Sequence, residues 1–277
     1  MDLDYGTLDG RRPYYRFGDS DADPLFVLPG LSDAFQREEP NRGTAMILSS
    51  LFREFSDRDV WVVGRPQHLP VGSSTRDMAA GYATVIDEHD LWPTDVIGVS
   101  MGGLVAQYLA ADYGDYVDSV ALVSAGTRLG GHGENVMRRW RNLAGKGKWA
   151  DIVAEMARES ATGYEQTLAP TLLKAAGRFV DFRPVVPADA VISCTACLEH
   201  DSREILDDID APTIIAAGDA DRLFPEPRLR EAKDGIDDAT LALFKGESHD
   251  LATSESRELN GILRRFFDGF RGDGLHP

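Results

Sequence analysis

The chain has 277 residues, of which 43% are hydrophobic, 27% charged and 9% aromatic, a mix that supports a sizeable folded core and excludes a disordered chain. Its longest apolar runs, such as Leu25 to Leu28 and Val60 to Val63, fall far short of the roughly 20 residues needed to cross a bilayer. Acidic residues number 46 against 29 basic ones, a formal charge of -17, so a nucleic acid would meet repulsion rather than a basic patch.

The first residues, MDLDYGTLDG, carry three aspartates with neither a basic start nor an apolar run. No secretory signal is expected there, and the chain is expected to act in the cytoplasm. RRPYYRF (11–17) reads as an edge strand paired antiparallel with these first residues. The runs 25–29, 60–63, 95–100, 117–124, 213–217 and 239–244 are near-continuously apolar, as strands buried on both faces must be. Helical patterns occupy 44–55, 74–90, 101–113, 226–235 and 252–269. This alternation predicts an α/β fold: a mostly parallel central sheet with helices on both faces.

The rhythm changes at residues 130–208, where VMRRWRNLAGKGKWADIVAEMARESATGY and TLLKAAGRFVDF have helical spacing and no strand pattern. These residues are expected to form a small helical cap inserted into a core made of 1–129 and 209–277, since long insertions cost little closure entropy and often cover sites. Within the insertion lie the only cysteines, Cys194 and Cys197. Two thiols do not complete a zinc site, and the helical setting of VISCTACLEH gives them a buried packing role. No metal and no organic cofactor is expected.

The sharpest signal is GVSMGG, Gly98 to Gly103, between the strand-like DVIGV and the helix-like LVAQYLAADY. A serine at such a turn sits on strained backbone, and Gly98 and Gly102 remove side chains that would collide. Ser100 is therefore the candidate nucleophile. A serine needs a base and an orienting acid. Among six histidines, only His249, in KGESHDL, follows a core strand, and it is the candidate base. The acid is sought in GDADRLFP, after PTIIAA. Asp221 is preferred there, with Asp219 beside Gly218 assigned to turn amides. All three candidates stand at carboxyl ends of strands, where open α/β sheets bind ligands.

In these features the chain resembles the α/β-hydrolase fold superfamily over nearly its full length: LPGL after an early strand, GVSMGG, GDADRLFP, the late strand followed by SHD, and the helical insertion. The order Ser100, Asp221, His249 is the one found in that fold. The resemblance implies an oxyanion hole made by the N–H groups of Met101 and Leu31. Many relatives have His-Gly where this chain has Pro29-Gly30, and Asp33 is read as an ordinary helix-preceding cap residue rather than a brace for that loop. Phe35, Trp140 and Trp149 are candidates to line an apolar substrate pocket.

The resemblance implies a serine hydrolase acting on a small or medium acyl ester, as a monomer or homodimer, with a small-molecule ester-like substrate as its partner. A lyase, acyltransferase, thioesterase, C–C hydrolase or cofactor-free peroxidase is chemically compatible with the same residues, and a non-catalytic ligand-binding module is the remaining alternative.

The charge itself has a consequence. Acids are 31 Asp to 15 Glu, and bases are 24 Arg to only 5 Lys, so strongly hydrated carboxylates dominate the surface. Such an excess suits concentrated salt, where screening removes the self-repulsion of the compact state. A GC-rich genome would also favour Arg over Lys without any need for salt. Thermal melting from low to molar KCl separates the two: adaptation to salt predicts a rising midpoint, and a flat one rejects it.

Overall fold

The computed structural model describes residues 2–35, 39–160 and 183–272. Eight strands form one sheet: β1 Asp2–Leu8, β2 Arg12–Gly18, β3 Pro24–Leu28, β4 Asp59–Val63, β5 Thr94–Val99, β6 Val117–Val123, β7 Thr213–Gly218 and β8 Ala239–Phe244. Their spatial order is β1-β2-β4-β3-β5-β6-β7-β8. Strands β3 to β8 run parallel, while β1, β2 and β4 pair antiparallel.

Alternation along the strands sorts the core into two layers, because successive side chains point to opposite faces. Leu25, Val27, Val60, Val62 and Ile97 pack on one side of the sheet. Phe26, Leu28, Trp61, Val63 and Val96 pack on the other. The first layer is closed by α1 (Arg42–Leu51) and by the final helix; the second by α2 (Thr75–Glu88) and α3 (Met101–Asp112). α2 starts at a capping box, in which Ser74 Oγ accepts from Asp77 N–H and the Asp77 carboxylate accepts from Ser74 N–H.

Helices α4 (Gly131–Gly145), α5 (Trp149–Ser160) and α6 (Pro187–Glu199) lie between β6 and β7. VISCTACLEH falls in α6 and its C-cap, with both cysteines free and buried. The expected helical segment TLLKAAGRFVDF lies outside the described residues. Beyond β7 come α7 (Glu226–Gly235), α8 (Leu251–Ser254) and α9 (Ser256–Gly272). α9 buries Leu259, Leu263 and Phe267 at four-residue spacing.

Three boundaries differ from the sequence reading. β2 pairs antiparallel with the first residues, yet it is not an edge strand, because its other side pairs with β4 and leaves β1 at the edge. The helix expected over 44–55 ends at Leu51 and gives way to a 3-10 turn at Arg53–Phe55. The last helix is split at Glu255, whose ψ of 33 leaves the helical range. Among the described residues, no helix is long and apolar enough to cross a membrane.

Candidate active site

Strand order brings the candidate residues together. β3 pairs with β5 in a register that sets Leu28 beside Gly98, so the turns after these strands are neighbours. β5, β6, β7 and β8 then follow in adjacent positions, which places the turns after β5, β7 and β8 along one rim.

At the turn after β5, Ser100 has φ 52 and ψ -117, a left-handed conformation that costs of order 1–3 kcal/mol for a residue with a side chain. Its N–H donates to Val123 O at 2.8 Å, and its own carbonyl accepts from Gly103 and Leu104 N–H. The turn is tight enough that a Cβ on Gly98 would stand 2.7 Å from Gly102 O, and one on Gly102 would collide with Leu28 O. The two glycines are therefore steric requirements of the bend, as expected from GVSMGG.

Asp221, in the turn after β7, is 3% exposed. One carboxylate oxygen accepts from Leu223 N–H at 2.8 Å and Phe224 N–H at 3.0 Å. The other faces His249 Nδ1 at 2.8 Å. A carboxylate only accepts, so Nδ1 carries the proton and Nε2 is left as the acceptor. Nε2 lies 2.8 Å from Ser100 Oγ, whose O–H donates to it. The His249 ring stacks on Phe224, with centroids 5.8 Å apart. Burial alone disfavours the imidazolium, but the Asp221 carboxylate, by charge and hydrogen bond, outweighs it; with Asp250 and Glu159 adding to the same field, the His249 pKa lies above the ordinary histidine value. Asp219 stands apart and accepts from Gly246 N–H at 2.7 Å, the turn role expected of it.

Leu31 and Met101 open the 3-10 helix Leu31–Phe35 and α3, so their N–H groups have no acceptor within their own helices. Both residues line a cavity of about 260 Å³ together with Ser100 and His249. Trp140 also lines it. Phe35 and Trp149 are not among its described lining residues: they pack edge-to-face on each other with centroids 6.4 Å apart, joining the start of α5 to the turn after β3. In their place, Met137 and Met156 line the cavity from α4 and α5, and Leu48, Leu51 and Phe52 line it from α1 and its C-cap. The α1 residues carry no sequence signal that separates them from ordinary core positions. Cys197 reaches the same cavity, but burial pushes its thiol pKa up to about 12 and leaves it a poor nucleophile.

Asp33 corrects the sequence reading. It is not an ordinary cap residue but one half of a buried ion pair with Arg65, the two side chains 4% and 3% exposed and 3.4 Å apart. Arg65 N–H also donates to Asp33 at 2.8 Å. The Arg65 guanidinium donates to Pro29 O at 3.2 Å and Gly30 O at 2.9 Å, so the pair fastens the turn that presents Leu31. Burial pushes the Asp33 carboxyl upward in pKa, opposed by the Arg65 charge and N–H. Nothing in the spacing of Asp33 and Arg65 announces this brace.

The sequence model of the alpha/beta hydrolase fold matches residues 29–252. The chain belongs to the alpha/beta hydrolase fold family. Within this family it is 25% identical over 268 residues to a Variovorax paradoxus protein provisionally named carbamate hydrolase RutD, covering 95% of this chain and 98% of that one. It is 27% identical over 200 residues to the pimeloyl-[acyl-carrier protein] methyl ester esterase of Neisseria meningitidis, covering 69% and 74%. Among solved structures, the enol-lactonase of Burkholderia xenovorans superposes with a TM-score of 0.76 over 96% of this chain and all of the other, at 18% identity. The relatives are thus hydrolases with esterase-like names, and the structural likeness is one of fold.

The Asp33–Arg65 pair yields a stability test. Asp33→Ala strands Arg65 without its counterion inside the fold and is expected to cost about 3 kcal/mol of unfolding free energy. The double variant Asp33→Ala/Arg65→Met is expected to recover part of that loss. Urea denaturation measures both, and a single-variant loss below about 0.5 kcal/mol, the level of a surface ion pair, would show that the brace holds nothing.

Proposed function

We propose that this chain is a serine hydrolase, a carboxylesterase that cleaves a small or medium acyl ester through an acyl-serine intermediate. The observation that carries the reading is the continuous hydrogen-bonded chain from Asp221 through His249 to Ser100, with both contacts at 2.8 Å, opening onto an apolar cavity.

In the first step His249 Nε2 takes the Ser100 proton as Oγ attacks the ester carbonyl carbon. Asp221 holds the imidazole in the tautomer that leaves Nε2 free and stabilises the imidazolium that forms. The carbonyl electrons move onto oxygen, which is held by the N–H groups of Leu31 and Met101; loss of one such donor typically costs about 100- to 1,000-fold in rate. The tetrahedral intermediate collapses, the imidazolium gives its proton to the leaving alcohol, and Ser100 is left acylated. Water then repeats the sequence with His249 as base, releasing the acid and restoring the serine. Helices α4, α5 and α6 act as the cap over this chemistry, and the acyl or alcohol portion lies against Trp140 and the methionines.

The relatives' esterase-like names support ester hydrolysis, and no step requires a metal or an organic cofactor. Ser100→Ala is expected to abolish the p-nitrophenyl ester burst and lower turnover by roughly 10⁴-fold or more. A fluorophosphonate is expected to label Ser100 alone. Comparable turnover by the alanine variant, or a label on a different residue, contradicts the assignment.

A further inference from the structure

A second hydrogen-bonded relay runs into the wall of the same cavity. Arg222 donates through its guanidinium to His132 Nδ1 at 3.1 Å, and His132 Nε2 lies 2.8 Å from Glu159 Oε2. A guanidinium has donors only, so Nδ1 must accept, and the ring proton sits on Nε2 and is donated to Glu159. His132 belongs to α4, Glu159 to α5 and Arg222 to the turn that carries Asp221, so the relay ties both helices to that turn.

Glu159 is only 11% exposed, and it lines the cavity beside Ser100 and His249. One of its oxygens is occupied by His132; the other has no partner among the described residues. Asp250 is the second carboxylate of the lining. Among the described residues that line the cavity there is no lysine or arginine to offset them, and Arg222 is turned to His132. The remaining surface is chiefly aliphatic, aromatic and thioether.

We propose that Glu159 is a specificity-determining residue, which makes the cavity accept substrates whose enclosed portion is apolar and free of anionic groups and reject those that carry a carboxylate there. A carboxylate entering this space would lose its hydration, meet no lysine or arginine among the described lining residues, and share the cavity with a like charge that is poorly screened by water. An alkyl chain or a hydroxyl carries no charge for Glu159 to repel and meets no such penalty. The relay keeps Glu159 fixed against the wall, so that its charge cannot swing out to solvent when an anion arrives.

The proposal rests on the cavity being the substrate site of the hydrolase proposed above, and the experiment separates the two by reading binding rather than turnover. Isothermal titration at pH 8 compares 1-octanol with octanoate on the full-length chain and on Glu159→Gln. Glutamine retains an oxygen to accept from His132, so the variant removes the charge and keeps the hydrogen bond. The unaltered chain is expected to bind octanoate at least about tenfold more weakly than octanol. Desolvation of the anion accounts for part of that gap and survives the substitution, but Glu159→Gln is expected to narrow it by at least about threefold, with octanol affinity little changed. Equal binding of the two ligands, a gap that the variant leaves intact, or no binding of octanol would each overturn the proposal. Fluorophosphonate labelling of Ser100 on the same samples keeps the readings distinct: discrimination without a label removes the hydrolase assignment, and with it the substrate role, and leaves only the selection of bound ligands by Glu159.

Discussion

The site depends on one constrained residue. Ser100 is held with φ at 52, a conformation that a side chain resists, and it persists because the surrounding structure leaves no alternative. Its N–H is tied to β6, its carbonyl opens α3, and two glycines clear the space that the bend needs. The strain is offset by the buried packing of the central strands β5 and β6, and the bend directs Oγ toward His249. A relaxed turn would return the hydroxyl to the strand and leave the imidazole with nothing to accept from.

Around that bend the charges are arranged unevenly. The carboxylates Asp221, Asp250 and Glu159 surround His249 and hold its pKa up, while the cations nearby are engaged elsewhere. Arg65 is spent on Asp33 and on the carbonyls of Pro29 and Gly30, and Arg222 on His132. These arginines therefore brace the turns behind the cavity, and among the described residues that line it there is no arginine or lysine to meet an anion.

Much of this was legible before any coordinates. The six parallel strands announced themselves by near-continuous apolarity, although β8, at the sheet edge, is mostly only half-buried instead of covered on both faces, and GVSMGG announced itself by the glycines a sharp bend requires. In GDADRLFP, Asp221 is the aspartate that faces His249, while the one beside Gly218 accepts from the turn amide of Gly246. What stayed hidden depends on contacts between distant segments. Asp33 and Arg65 are 32 residues apart, and neither looks unusual until both are buried together. Phe35 and Trp149 were indistinguishable from pocket residues by type, and only packing shows that they meet each other. Leu48 and Leu51 resemble any apolar helix face, since the sequence does not reveal whether such a face meets a core or a cavity. β2 passed for an edge strand because an antiparallel partner on one side says nothing about the other.

The central claim is that Asp221 holds a proton on His249 Nδ1 and so leaves Nε2 free to receive the one on Ser100. Proton NMR of the His249 ring across pH tests it most directly. A far-downfield Nδ1–H signal is expected, with the imidazole titrating above the ordinary histidine value of about 6.5, so that the neutral base is lost as pH falls through that raised midpoint. In Asp221→Asn the signal is expected to disappear and the midpoint to drop. A His249 that titrates at its ordinary value, with no downfield proton and no response to the change at Asp221, would contradict the account.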